Sequence, residues 1–241
     1  MKGLFTRSYI LLLLLALIAL FLAVPRPITP GPLIIGAVIM AVLLALGLRA
    51  AAPFGRGAPI LENASSKELV PAPGRRLGIA LLIGVVMGGF LLGLLIFLAS
   101  KEPLLRTRLA ERANQPAWMP WALAVEASIL EEIIFRLFLM SGVIWLAPRI
   151  LRAKRRDQAS PALVWTAIGI SALAFGLVHL PSWTAAVHPT LFLVASVLAL
   201  NGAAGVVLGW IYWNWGIEAA ILCHFAGDMM LQGIGPRLMG S

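Results

Sequence analysis

Long uninterrupted apolar runs decide what this chain can fold into. A helix that spans the hydrocarbon core of a bilayer needs about 20 mostly apolar residues. Residues 8–24, 32–50, 77–99, 119–147 and 162–180 each supply such a run. A soluble core of a 241-residue chain has no room for them all. Charged residues make up only 12% of the chain, against about a quarter in soluble domains. Lipid, rather than water, is therefore the solvent for much of the surface. The fold class expected is an all-α polytopic transmembrane helix bundle, with backbone polar groups satisfied inside each helix.

The net charge is +9, and the cations are clustered. Lys2 and Arg7 precede the first apolar run. Arg56, Lys67, Arg75 and Arg76 follow the second, and Arg149, Arg152, Lys154, Arg155 and Arg156 follow the fourth. Such clusters hold loops on the cytoplasmic side against anionic lipid. With the N-terminus inside, Arg237 joins this inner set, while Arg26, Lys101, Arg106, Arg108 and Arg112 lie outside. Nucleic acid is not an expected partner, because no soluble domain is left to carry it. The single cysteine, Cys223, excludes an intrachain disulfide. Residues 1–24 have the basic start and apolar stretch of a signal peptide, but the run is long for that purpose, and a retained anchor is expected.

The chain divides into 1–76, two helices and a basic loop, and 77–241, which holds the remaining segments. Pro53, Gly55, Gly57, Pro59, Pro71, Pro73 and Gly74 break the loop. In 101–118, Leu104, Leu105, Leu109 and Trp118 alternate with Arg106, Arg108, Glu111 and Arg112, the pattern of an interfacial amphipathic stretch. Trp118, Trp121, Trp183, Trp210, Trp213 and Trp215 suit an aromatic belt. His188, just before Pro189, suits an interfacial loop.

Ionisable groups inside spanning helices cost ~3 kcal/mol each and mark function by default. Here they are Glu126, Glu131, Glu132 and Arg136 in the fourth run, His179 at the end of the fifth, and His224 and Asp228 in the last apolar segment, 217–234. A helical residue advances about 100°. Glu132 and Arg136 therefore share a face, in the favourable acid-before-base order. Glu131 points elsewhere, as an unpaired carboxylate suited to general-base work. Phe175 lies one turn before His179 and stacks beneath its ring. His224 and Asp228, four apart, converge on a metal, a water or a substrate oxygen. Equal depth for Glu131, His179 and His224 is expected if 188–215 forms two short helices, 189–200 and 203–214, broken at the turn-forming pair Asn201-Gly202. That makes about eight segments.

These residues carry a recognisable pattern. Glu131-Glu132-Ile-Ile-Phe-Arg136 resembles the EExxxR motif of CPBP-family intramembrane proteases, the CAAX-protease and bacteriocin-processing (ABI) group. Phe175-Gly-Leu-Val-His179 is similar to their FxxxH motif, and His224-Phe-Ala-Gly-Asp228 to their Hxxx(N/D) motif. The resemblance spans roughly residues 77–234 and implies an eight-helix fold. It implies that Glu131 and His179 activate a water for attack on a peptide carbonyl, with His224 and residue 228 stabilising the oxyanion. Glu132, Arg136 and Phe175 take structural and orienting roles. Asp228 departs from the asparagine common at its position, because an ionised carboxylate cannot donate to an oxyanion. The favoured reading is that Asp228 orients His224. Glu131, His179, His224 and Asp228 are also the candidate ligands of zinc or another divalent metal, although that four-ligand cage lacks an open position.

The implied function is intramembrane endopeptidase activity on a peptide or protein substrate, lipidated or not, in the plasma membrane of a prokaryote, with membrane lipid as the other partner. Two other classes stand against it: a non-catalytic scaffold or immunity-type member of the same fold, and a proton-coupled transporter using the same carboxylate and histidines as a relay.

Overall fold

The computed structural model describes residues 2–23, 30–63, 72–152, 158–184 and 190–239. Arg26, Lys67, Lys154, Arg155, Arg156 and His188 lie outside the described residues, as does the side chain of Trp183. Among the described residues there are helices and no strand. Proline opens several of them. Pro30, Pro73, Pro103 and Pro161 begin helices, and Pro120 is the second residue of another. In the first turn the missing N–H is no loss and the fixed φ is already helical.

Helix α1 (Lys2–Ala23) and α2 (Pro30–Ala51) pair at one flank, followed by the short α3 (Pro59–Asn63). Next come α4 (Pro73–Ala99) and α5 (Pro103–Ala113), which lies beside the end of α4. Helix α6 (Met119–Glu132) runs through a π-helical stretch, Ile133–Met140, into α7 (Ser141–Ile150). Then follow α8 (Pro161–Thr184), α9 (Leu191–Trp215) and α10 (Ile217–Asp228). A second π-helical stretch, Met229–Ile234, leads to α11 (Gly235–Met239). Both π segments begin directly after an acidic residue of the candidate site, Glu132 or Asp228. Such insertions are frequent at functional sites.

Four helices, Pro30–Phe54, Pro73–Ala99, Pro161–Ser182 and Leu191–Trp215, are long and apolar enough to cross a membrane. Their outer faces are apolar and uncovered. Ile34, Ile35, Val38 and Val42 project from α2, and Leu82, Val86, Phe90 and Phe97 from α4. Exposed apolar rows of this length suit acyl chains and not water. The chain is an integral membrane protein. Inside, Leu12, Leu44, Leu48, Ile133, Leu137 and Met140 are among the fully buried core residues.

Two faces of the bundle are tied down by different contacts. At one end, Ile217 N–H donates to the Gly57 carbonyl at 2.9 Å. Glu218 Oε1 there accepts from the backbone N–H groups of Ile60 and Leu61, each at 2.9 Å. The loop before α3 is thereby fastened to the α9–α10 turn. At the other end, Arg237 donates to the Gln115 carbonyl at 3.3 Å, and α11 packs on α5.

Two expectations need correction. The hairpin at Asn201-Gly202 does not form, because α9 is one unbroken helix. Asn201 Nδ2 donates to the Val197 carbonyl at 2.8 Å, so its amide is satisfied inside the helix. Gly202 borders open space, so nothing forces a turn there. After α7 the described chain therefore runs as three helices, α8, α9 and α10. Helix α10 starts at the end where Gly57 lies, and the chain finishes beside α5. Arg237 accordingly belongs to the end that carries α5 and not to the basic-loop end.

Close approach of α4 and α10 requires glycine. A Cβ on Gly84 would lie 2.2 Å from the Cys223 carbonyl oxygen, and one on Gly88 would lie 2.6 Å from that of Gly227. Small residues at helix contacts are the usual means of association in lipid. Gly78, on the same helix, has nothing within 4 Å. Gly84→Leu is therefore expected to destabilise the purified protein by about 1–3 kcal/mol or more, with Gly78→Leu near wild type. Unfolding of the two variants by SDS titration from mild detergent checks this, and equal midpoints would contradict the packing.

Candidate active site

The local starting point is the i,i+4 pair on α6 and its π continuation. Arg136 Nη1 lies 3.2 Å from Glu132 Oε1, and both side chains are wholly buried. The guanidinium sits 4.5 Å over the Phe175 ring, and Nη2 donates to the Gly205 carbonyl at 3.4 Å. Arg136 is thereby held by α8, α9 and its own helix at once. Its Nη1 and Nε and Glu132 Oε2 have no hydrogen-bond partner among the described residues. The ion pair and the aromatic face are what compensate burial of that cation.

Glu132 Oε1 has a second partner across the bundle. It lies 2.9 Å from His224 Nδ1. A carboxylate beside an arginine accepts here, so Nδ1 carries the proton and His224 turns its Nε2 away from Glu132. That Nε2 faces Glu131 Oε2 at 3.7 Å and Asp228 Oδ2 at 3.8 Å. His179 obeys the same rule. Its Nδ1 lies 2.7 Å from the Phe175 carbonyl, which only accepts, so its Nε2 is the unprotonated nitrogen. That atom faces Glu131 Oε1 at 3.7 Å. Phe175 packs against both imidazoles, with ring centroids 4.8 Å from His179 and 5.8 Å from His224. Its own position is fixed edge-on by Phe135 at 5.3 Å. Ser171 ties α8 to the π segment by donating to the Phe135 carbonyl at 2.8 Å.

Glu131, His179, His224 and Asp228, read from sequence as one group, thus lie around one cavity of about 430 Å³. The Glu131 side chain is about a quarter exposed, at 26%, whereas that of Glu132 is at 0%. Adjacent carboxylates have separate roles, one solvated and one structural, as the 100° step requires. At 3.7 Å, neither histidine bonds Glu131 directly.

The expected alignment by depth fails in its premise. Equal depth does not need two short helices in 188–215, because α9 is unbroken and His179 and His224 both face Glu131 at 3.7 Å. Counting residues along upright axes ignores side-chain reach, and Phe175, a full turn before His179, already touches the His224 ring. The favoured role of Asp228 is corrected as well. Glu132, not Asp228, orients His224, because 3.8 Å is too long for a hydrogen bond. Asp228 Oδ2 is buried without a hydrogen-bond partner among the described residues. Sequence spacing could not reveal the Glu132–His224 bond, which joins residues 92 apart. Glu126, Arg112 and Asn201 also line the cavity.

Among the described residues, no group of three or more His, Cys, Asp or Glu side chains is set to hold a metal ion.

Residues 113–230 match the family model of the type II CAAX prenyl endopeptidase, Rce1-like. No curated protein and no solved structure matches the chain.

Removing one member of the buried pair isolates the other. Arg136→Met is expected to cost about 3–5 kcal/mol by leaving Glu132 uncompensated. Glu132→Gln combined with Arg136→Met should recover much of that loss. Equilibrium unfolding of the single and double variants is the check, and strict additivity of the two losses would contradict the pairing.

Proposed function

We propose that this chain, whose residues 113–230 match the Rce1-like family model of a protease family, hydrolyses peptide bonds inside the bilayer with a water activated by Glu131 and His179. The observation that carries the proposal is the Glu131 carboxylate flanked by two imidazole Nε2 atoms, each at 3.7 Å. A water between them has two acceptors, the Glu131 carboxylate and the bare His179 Nε2. Glu131 takes its proton as the oxygen attacks the scissile carbonyl. His224, its Nδ1–H fastened to Glu132, presents Nε2 to the cavity, where as an imidazolium it donates to the developing oxyanion. Glu131 then returns the proton to the departing amine, and the tetrahedral intermediate collapses to acid and amine.

Low water content makes each of these contacts count for more. The fixed ring orientations spare the site reorganisation during reaction, since Phe175 and Glu132 hold the two rings before substrate arrives. Asp228 lies beside the oxyanion position and cannot donate when ionised. We assign it to holding the cavity's polar end, near His224. The substrate is a peptide or protein reaching the cavity within the membrane, and a lipidated tail is the form the family description suggests.

Glu131→Gln is expected to abolish cleavage of a fluorogenic peptide panel by purified protein in detergent, and His179→Ala to lower kcat about 10²–10⁴-fold. Glu126→Gln should retain activity. Equal activity of the Glu131→Gln and Glu126→Gln variants would refute the assignment, and would favour a scaffold or transporter. Metal analysis of the same preparations tests the alternative in which Glu131, His179, His224 and Asp228 hold zinc or another divalent ion. Stoichiometric metal with chelator-sensitive activity would support that version over metal-free water activation.

A further inference from the structure

Helix α2 packs along the π segment and α7, but the two do not stay closed on each other. At Gly47 they are in tight contact, since a Cβ there would lie 2.8 Å from the Leu137 carbonyl oxygen. Further along both helices they part. Gly142 has nothing within 4 Å of where a side chain would begin. The parting leaves a groove of about 390 Å³, with Leu46, Arg49 and Ala50 on one wall and Phe138, Gly142 and Trp145 on the other. Each set recurs at three or four residues, so each wall is one face of a helix. From Phe138 to Leu146 the groove extends about 12 Å along the axis.

Its two ends differ in chemistry. Leu46 and Leu146, on the rims, are 48% and 46% exposed, and α2 is long and apolar enough to span a membrane. The groove therefore opens toward hydrocarbon. Arg49 is the charged residue among those lining it, and it stands exposed in the last turn of α2. A second guanidinium lies next to it on the other wall. Arg149 sits 4.0 Å over the Trp145 ring, and its Nη1 donates to the Trp145 carbonyl. Among the described residues neither arginine has a carboxylate within ion-pair distance. A groove that is apolar along its length and cationic at one end has the polarity of a phospholipid. The acyl chain suits the walls, and a guanidinium fork matches phosphate oxygens in paired bonds. Tryptophan is also the residue that settles at headgroup level. A helix from a second copy would fill the apolar part but would bring no anion to the arginines.

We propose that the groove between α2 and α7 binds one anionic phospholipid, with an acyl chain along Phe138 and Gly142 and the headgroup phosphate at Arg49 and Arg149. The site is separate from the Glu131 cavity and does not rest on the hydrolase reading. Phe138 and Leu139 belong to the π stretch that carries Arg136. The lipid thus packs on the segment that holds the buried ion pair, and its binding stabilises the folded chain by mass action.

The test uses delipidated full-length protein in an uncharged detergent. It is titrated with phosphatidylglycerol and with phosphatidylcholine of the same acyl chains, and bound lipid is counted by native mass spectrometry. Phosphatidylglycerol is expected to give one saturable adduct at about tenfold lower concentration than phosphatidylcholine, and to raise the Tm. Arg49→Gln combined with Arg149→Gln should bring the two lipids level. Gly142→Leu should fill the groove and remove the adduct of either lipid, while the lipid-free Tm stays near wild type because the new Cβ meets no neighbour. Should that variant not fold, the arginine variants decide alone. Arg106→Gln, on α5, should change nothing. Equal binding of both lipids by the wild-type chain would overturn the proposal, as would a preference that survives loss of both arginines. Displacement of the lipid by glycerol phosphate at equal concentration would show a soluble phosphate to be the ligand and overturn it too. An adduct intact in Gly142→Leu, or a change in oligomeric mass there in place of adduct loss, would assign the groove to something other than lipid.

Discussion

A wholly buried ion pair organises this molecule. Glu132 and Arg136 lie one turn apart with both side chains out of solvent, an arrangement that is strongly destabilising when either partner is removed. The pair is not isolated. Arg136 reaches the Phe175 ring on α8 and the Gly205 carbonyl on α9, and Glu132 reaches His224 on α10. Three helices are therefore registered on one charge pair. Because lipid gives apolar helices little reason to prefer one packing over another, polar contacts and small residues must set the register. Gly84 and Gly88 do so between α4 and α10, and the ion pair does so toward α8, α9 and α10.

The same contacts fit the proposed chemistry. Holding Nδ1 of one ring on a carboxylate and Nδ1 of the other on a backbone carbonyl leaves both Nε2 atoms facing Glu131. Nothing in the cavity needs to rotate for a water to be held among them. Glu131 itself keeps partial access to solvent, as the proposed proton exchange requires. The adjacent position, 132, gives up access entirely and serves as support. The two carboxylates are neighbours in sequence and opposites in environment, and the helical step alone separates their roles.

Much of this was legible in the residues. Helix spacing pairs Glu132 with Arg136, stacks Phe175 beneath His179, and sends Glu131 another way, because i,i+4 relations are properties of one helix. Contacts between helices were not legible in the same manner. The hydrogen bond from His224 to Glu132 depends on how α10 lies against α6, and no spacing along the chain encodes it. Asn201-Gly202 reads as a turn by local propensity, but Asn201 bonds back within its helix and Gly202 meets no neighbour, so the surroundings permit the helix to continue. The π segments after Glu132 and Asp228 left no mark in the apolar pattern. Arg112 did leave one, as a charge on the Leu105–Leu109 stripe, though the alternating composition of that stretch suggested an interfacial helix and not a wall of the cavity.

The central claim is that Glu131, His179 and His224 converge on a single water. A crystal structure from lipid at a resolution that defines waters is the most direct measurement. It should show one ordered water within hydrogen-bonding distance of the Glu131 carboxylate and of both Nε2 atoms, with His224 Nδ1 on Glu132. Imidazoles turned to lipid, or held apart from Glu131 by intervening side chains, would contradict the account.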